Sequence, residues 1–246
     1  MKKTYLILSL LLGTITCHAQ VFIQTENDTS VITKYNDGQL WAYKDIENVV
    51  VGLTSYKTKD DYGKYYQINI FIHNHGDTSL LFDPATILAS LVTQTGDTLQ
   101  LQVYTNDMFQ KKIKRAQSWT LALYGLSAGL NAATAGYSTS YSTSYSPNGF
   151  AYTTITQHYN ANTAYQANMT ASYQMQTLGR MMDNDRAIKK QGYLKMNTVH
   201  PKESIVGHMN IKWKKGYILN VSIPVNGHIY SFDWDVRKER KREQRK

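Results

Sequence analysis

Apolar and polar residues alternate in short runs over both ends of this chain and cease to alternate in its middle. Residues 66–72 place Ile68, Ile70 and Ile72 on one side of an extended strand. Leu99, Leu101 and Val103 alternate with Gln100 and Gln102. Later, Tyr217, Leu219, Val221, Ile223 and Val225 share a face, and Tyr230, Phe232, Trp234 and Val236 stand opposite Ser231, Asp233 and Asp235. A period of two means one buried and one wet face, the mark of antiparallel pairing. Turn formers separate the runs: Asn36-Asp37-Gly38, Asp60-Asp61-Tyr62-Gly63, Gly76-Asp77 and Gly96-Asp97. Asn226-Gly227 is the strongest of these signals, because both central positions of a type I′ turn need positive φ.

The middle has helical character. Asn106 or Asp107 is expected to cap a helix whose first turns are basic (Lys111, Lys112, Lys114, Arg115), and Gly192 to stop a second one. The fold class that follows is mainly β with an α insertion: an antiparallel, immunoglobulin-like β-sandwich interrupted by a long helical hairpin. Residues 20–105 form the first part of the sandwich, 106–192 the insertion and 193–236 the second part. The two ends of the insertion leave and re-enter the sandwich close together.

Certain turn and core residues carry a resemblance. Asn74-His75-Gly76-Asp77 leads to Phe82-Asp83-Pro84, Pro201-Lys202-Glu203-Ser204 leads to Gly207, and Phe232-Asp233-Trp234 follows. Together with an Ala19-Gln20 junction, this resembles the exported immunoglobulin-like sandwich modules common in Bacteroidota envelopes. The resemblance covers the strand regions and implies a fold and a compartment. It carries no catalytic residue across.

The first 19 residues read as a secretory signal. Lys2 and Lys3 supply the positive start, Tyr5 to Leu12 a short apolar run, and Cys17-His18-Ala19 the small residues before a cut at Gln20. The expected location is the periplasm or the outer membrane. Cys17 also stands where a lipid-anchored protein carries its modified cysteine, although Thr14-Ile15-Thr16 is a poor lipobox. It is the single cysteine of the chain, so the mature body has no thiol chemistry and no disulfide. The formal charge of +9 first suggests nucleic acid. But the tail 237–246 alone carries +5 and the leader +2, which leaves the body near +2. No nucleic-acid partner is expected.

One segment asks for an explanation. From Ala116 to Gly179 there is no Asp, Glu, Lys or Arg, in a chain with 18% charged residues. Charged side chains keep surfaces unassociated, so their absence points to a surface covered by partners, by membrane or by copies of the same chain. Gly125, Gly129, Ala132 and Gly136 recur at helical spacing, as do Ala164, Ala167 and Ala171. Small faces of this kind let two helices approach closely. Between them Tyr137, Tyr141 and Tyr145 recur every four residues in a Tyr-Ser-Thr-Ser pattern. After the reverse turn Ser146-Pro147-Asn148-Gly149, Phe150, Tyr152, Thr154, Thr156 and His158 offer a return strand. Gly125, Gly129, Gly136, Tyr137, Tyr141, Tyr145, Phe150 and Tyr152 make up the expected interaction surface. Trp119 to Tyr137 is nineteen residues without charge, but Thr120, Ser127, Asn131 and Thr134 argue against a single transmembrane span.

Candidate chemistry is sparse. Gly125-Leu126-Ser127-Ala128-Gly129 matches a nucleophile elbow, with Asp183 or Asp185 and His200, His208 or His228 following in order. That motif needs a strand-to-helix turn in a parallel sheet, and small residues at helical spacing explain the match without it. His73-Asn74-His75 lacks a third ligand at a supporting spacing, and Asp60-Asp61 lacks calcium-loop spacing. No catalytic, cofactor-binding or metal site is expected. The sequence therefore predicts a non-enzymatic envelope protein that self-assembles or binds an envelope partner through its charge-free insertion. Membrane insertion or pore formation by assembled hairpins is the second reading, and an esterase-like hydrolase the third.

Overall fold

The computed structural model describes residues 21–23, 31–36, 38–145 and 151–237. The expected leader 1–19 with Cys17, the expected turn at Ser146-Pro147-Asn148-Gly149 with Phe150, and the tail beyond Arg237 lie outside the described residues. In chain order the strands before the insertion are β1 (Val21–Phe22), β2 (Val31–Asn36), β3 (Gln39–Ile46), β4 (Val49–Asp60), β5 (Gly63–Asn74), β6 (Leu80–Phe82), β7 (Leu88–Val92), β8 (Thr98–Leu101) and β9 (Val103–Tyr104). Next come α1 (Asn106–Ala135), β10 (Tyr137–Tyr145), β11 (Ala151–Tyr159) and α2 (Ala161–Lys190). The chain closes with β12 (Asn197–Val199), β13 (Ser204–Lys212), β14 (Ile218–Val225) and β15 (His228–Asp235).

The structure is mainly antiparallel β with two long helices. One sheet has the order β1-β15-β14-β7-β8 and the other β2-β3-β4-β5-β13-β9. Small ladders pair β12 with β6 and β10 with β11. The alternating runs supply the core. Ile68, Ile70 and Ile72 of β5, Leu219, Val221 and Ile223 of β14, and Tyr230, Phe232 and Trp234 of β15 are all buried in one continuous apolar cluster. Trp234 is fully buried, with the Phe22 ring edge-on at 5.4 Å. The hairpin turn between β14 and β15 has φ of 51° at Asn226 and 80° at Gly227, the left-handed pair a type I′ turn demands.

Two local expectations are corrected. The alternation of Leu99, Leu101 and Val103 is not one strand. Leu101 pairs in β8 with Ala89, whereas Val103 pairs in β9 with Ile211, so the chain changes sheets at Gln102. Alternation survives the crossing because both residues face the same core from opposite sheets. The cap of α1 is Thr105 rather than Asn106 or Asp107. The Thr105 hydroxyl accepts from the Met108 amide at 3.4 Å, and the Asn106 side chain turns inward and is buried. At the far end α2 stops at Lys190, with Gly192 at φ 67° two residues on.

Candidate assembly surface

The insertion is fastened at its base and free beyond it. Phe109 and Ile113 of α1 belong to the buried core, and the Phe109 ring stacks on Tyr193 at 5.4 Å. The tip of the β4–β5 turn wedges between the helices. The Tyr62 hydroxyl donates to Asp185 of α2 at 2.5 Å and accepts from Gln117 of α1 at 3.0 Å. Gln117 also donates to the Met182 carbonyl at 2.7 Å, Lys189 pairs with Asp60 at 3.1 Å, and Lys112 donates to the Tyr65 hydroxyl at 2.5 Å. Burial, reinforced by the Asp185 carboxylate, pushes the Tyr62 phenol up to about 12. Desolvation lowers the Lys112 ammonium, with the Asp60 charge opposing it.

Beyond this clamp the helices run side by side along a narrow seam. The Tyr124 hydroxyl donates to Gln174 at 2.6 Å, and Ala132 and Ala164 are buried. A groove of about 350 Å³ lies between Ala128, Asn131 and Ala135 on one helix and Ala167, Thr170 and Ala171 on the other. A side chain at Gly125 would meet Met175 at 3.4 Å, so Gly125 faces the seam. Gly136 is the tightest position: a Cβ there would stand 2.6 Å from the Tyr159 ring and 3.0 Å from Ala164. Gly129 departs from the expected small stripe. A Cβ there would meet nothing within 4 Å, because the seam runs through Ala128 and Ala132 instead.

The opposite sides of both helices are apolar and open to solvent. Trp119, Leu123, Leu126 and Leu130 recur at spacings of four, three and four, each 63–69% exposed. At ~100° per residue this stripe lies ~170° around α1 from the seam. Tyr165, Met169 and Tyr173 form the matching exposed stripe on α2, ~160° from its own seam. The hydroxyls among them are already satisfied: Thr120 donates to the Ala116 carbonyl, Ser127 to Tyr124 and Thr134 to Leu130. These two large-residue stripes lie outside the small-residue pattern, although the four-three-four leucine spacing is legible in the sequence.

The tip is a two-stranded ladder with nine residues in each strand. Tyr137 pairs in register with Tyr159, Thr139 with Gln157, Tyr141 with Ile155 and Thr143 with Thr153. The alternate positions pair Ser138 with His158, Ser140 with Thr156 and Ser142 with Thr154. Tyr137, Tyr141, Ile155 and Tyr159 are exposed, and the Tyr137 and Tyr159 rings meet at 5.0 Å. Tyr145 stands opposite Ala151, and Tyr152 opposite Ser144 rather than a tyrosine. Their side chains are not among those described. Asn160 turns the chain into α2, its side-chain oxygen accepting from the Asn162 and Thr163 amides at 3.0 and 3.2 Å.

The alternative chemistries do not converge. Ser127 sits in mid-helix, bonded to its own turn. Asp183, next to the Met182 that Gln117 meets, is level with the base of α1, so Ser127 stands ten residues or ~15 Å farther out. His200 faces Ser79, His228 faces Glu47, and His208 lies against Tyr193 with its pKa lowered by burial. His73 and His75 do meet, with their ring nitrogens 3.1 Å apart. Among the described residues no group of three metal-ligating side chains gathers anywhere. Within the same residues no helix is long and apolar enough to cross a membrane. No family model matches the chain, and no curated protein or solved structure proves similar to it.

Proposed function

We propose that this is an exported, non-enzymatic envelope protein that assembles with copies of itself through the 106–192 insertion. The two large sheets are read as an immunoglobulin-like sandwich that carries the helical hairpin. The observation behind the assembly is the pair of exposed apolar stripes on opposite sides of the hairpin, within a segment free of charge. In a head-to-tail contact one stripe from each copy meets, on the order of 900 Å² of apolar side-chain surface in all, at the small end of specific interfaces. One stripe on each side favours head-to-tail packing, in which α1 of one copy lies against α2 of the next. Such contacts repeat and close into a ring when the rotation allows. The four-three-four spacing on α1 is that of a coiled-coil seam with no partner among the described residues.

The test is the native mass of residues 20–246 by light scattering, wild type against a Leu123→Glu/Leu126→Glu double variant. The wild type is expected as a defined oligomer and the variant as a monomer with an unchanged circular dichroism spectrum. A wild type that is monomeric with and without mild detergent contradicts the proposal, as does a variant that keeps the oligomeric mass.

A further inference from the structure

The proposed assembly brings the insertion tips together, and the tips have their own unmet requirement. β10 and β11 pair only with each other among the described residues, so each presents an outer edge with an open row of backbone donors and acceptors. An isolated two-stranded hairpin is marginal in water. Head-to-tail packing of the stalks sets β11 of one copy beside β10 of the next, and a closed ring leaves no edge open.

The composition of the ladder then decides what such a ring faces. One set of register positions holds Tyr137, Thr139, Tyr141, Thr143, Tyr145, Ala151, Thr153, Ile155, Gln157 and Tyr159, and the other holds Ser138, Ser140, Ser142, Ser144, Tyr152, Thr154, Thr156 and His158. A ring in water has no reason to gather Ile155 and four of the five ladder tyrosines on one set of positions and all four ladder serines on the other, whereas a barrel in a bilayer needs an outside less polar than its lumen. Nine residues per strand fall within the ~9–11 that a tilted barrel strand uses to cross. The Tyr137–Tyr159 pair closes the helix-proximal end, where an aromatic girdle belongs. No formal charge interrupts the crossing, since the nearest charged residues in the chain are Arg115 and Arg180. The helices hold the ladder ~27 Å beyond the Gln117 clamp, clear of the body.

We infer that the assembled tips form a transmembrane β-barrel with a serine- and threonine-rich lumen, which makes the oligomer a pore. The inference rests on the proposed self-assembly and adds the lipid bilayer as the medium the tip enters. The smallest barrels have about eight strands, so at least about four copies are required.

The experiment uses the mature chain, residues 20–246, with phosphatidylethanolamine/phosphatidylglycerol vesicles loaded with a fluorescent dye and with planar bilayers of the same lipids. Wild type is expected to release dye and to give discrete conductance steps. Tyr141→Arg, on the tyrosine face, is expected to keep the oligomeric mass and to lose at least ~tenfold of the release. Ser142→Asp, one position away on the serine face, is expected to keep release and to shift selectivity towards cations. An oligomer of four or more copies that leaves vesicles intact overturns the pore while self-assembly stands. A stable dimer or trimer does the same. A monomer overturns both. Equal loss of release from the two variants overturns the assignment of faces and with it the barrel.

Discussion

Removing one hydroxyl at the base of the stalk isolates the contact that fastens the insertion to the body. Tyr62→Phe keeps the ring between α1 and α2 and deletes the donor to Asp185 at 2.5 Å and the acceptor for Gln117 at 3.0 Å. A hydrogen bond to a charged group contributes about 1.5–3 kcal/mol. The Asp185 side chain is 40% exposed, so water takes up part of the loss. Gln117 keeps its bond to the Met182 carbonyl. The net cost is therefore about 1 kcal/mol, which for a chain of this size lowers Tm by about 2–4 °C. The same residue has a signature in alkali. Its folded pKa of about 12 lies above the ~10 of a free phenol. The protonated form is the one that folding favours, so the stability it contributes is complete below pH ~10. It is lost as pH rises from ~10 to ~12. Thermal melts across that range should show a smaller alkaline loss in Tyr62→Phe than in wild type. A Tm within about 1 °C of wild type at neutral pH, with an unchanged alkaline slope, would refute the clamp.

Two substitutions test the local geometry. Gly136→Val should destabilise by about 1–3 kcal/mol in urea titration, because the new side chain collides with the Tyr159 ring and Ala164 where helix passes into strand. Gly136 has an ordinary φ of −77°, so the cost is steric and Gly136→Ala should show a smaller part of it. Gly227→Ala should cost about 1 kcal/mol by the same assay, since φ of 80° is unfavourable for any residue with a Cβ.

The sheets were largely legible because their information is local. Period-two runs name the buried residues of β5, β14 and β15, and the Asn226-Gly227 pair names its turn. The Leu99–Val103 run reads as one strand because Leu101 at the end of β8 and Val103 at the start of β9 both turn inward from different sheets, although Leu99 itself is exposed. Thr105 is hidden as a cap in the sequence by the two good capping residues that follow it. The insertion was visible through its missing charges and its tip through the tyrosine repeat. The seam of α1 was only partly so: glycine and alanine positions suggest a close approach, but Gly129 lies off the line that Ala128 and Ala132 take. The clamp was not legible at all. Tyr62, Gln117 and Asp185 come from a turn and two helices, and no short-range pattern links a turn tyrosine to a carboxylate 123 residues later.

The central claim, that α1 of one copy lies against α2 of the next, is open to direct measurement because residues 20–246 contain no cysteine. The Gln117–Met182 and Tyr124–Gln174 contacts set which residues stand level across the hairpin, and they place Leu130 level with Met169. Both are exposed on opposite outer sides. Oxidation of a Leu130→Cys/Met169→Cys variant should therefore link copies into a ladder of dimers, trimers and higher species on a denaturing gel. Each single-cysteine variant should stop at weak dimer. A double variant that remains monomeric under oxidation, or yields no more than either single variant, would contradict the account.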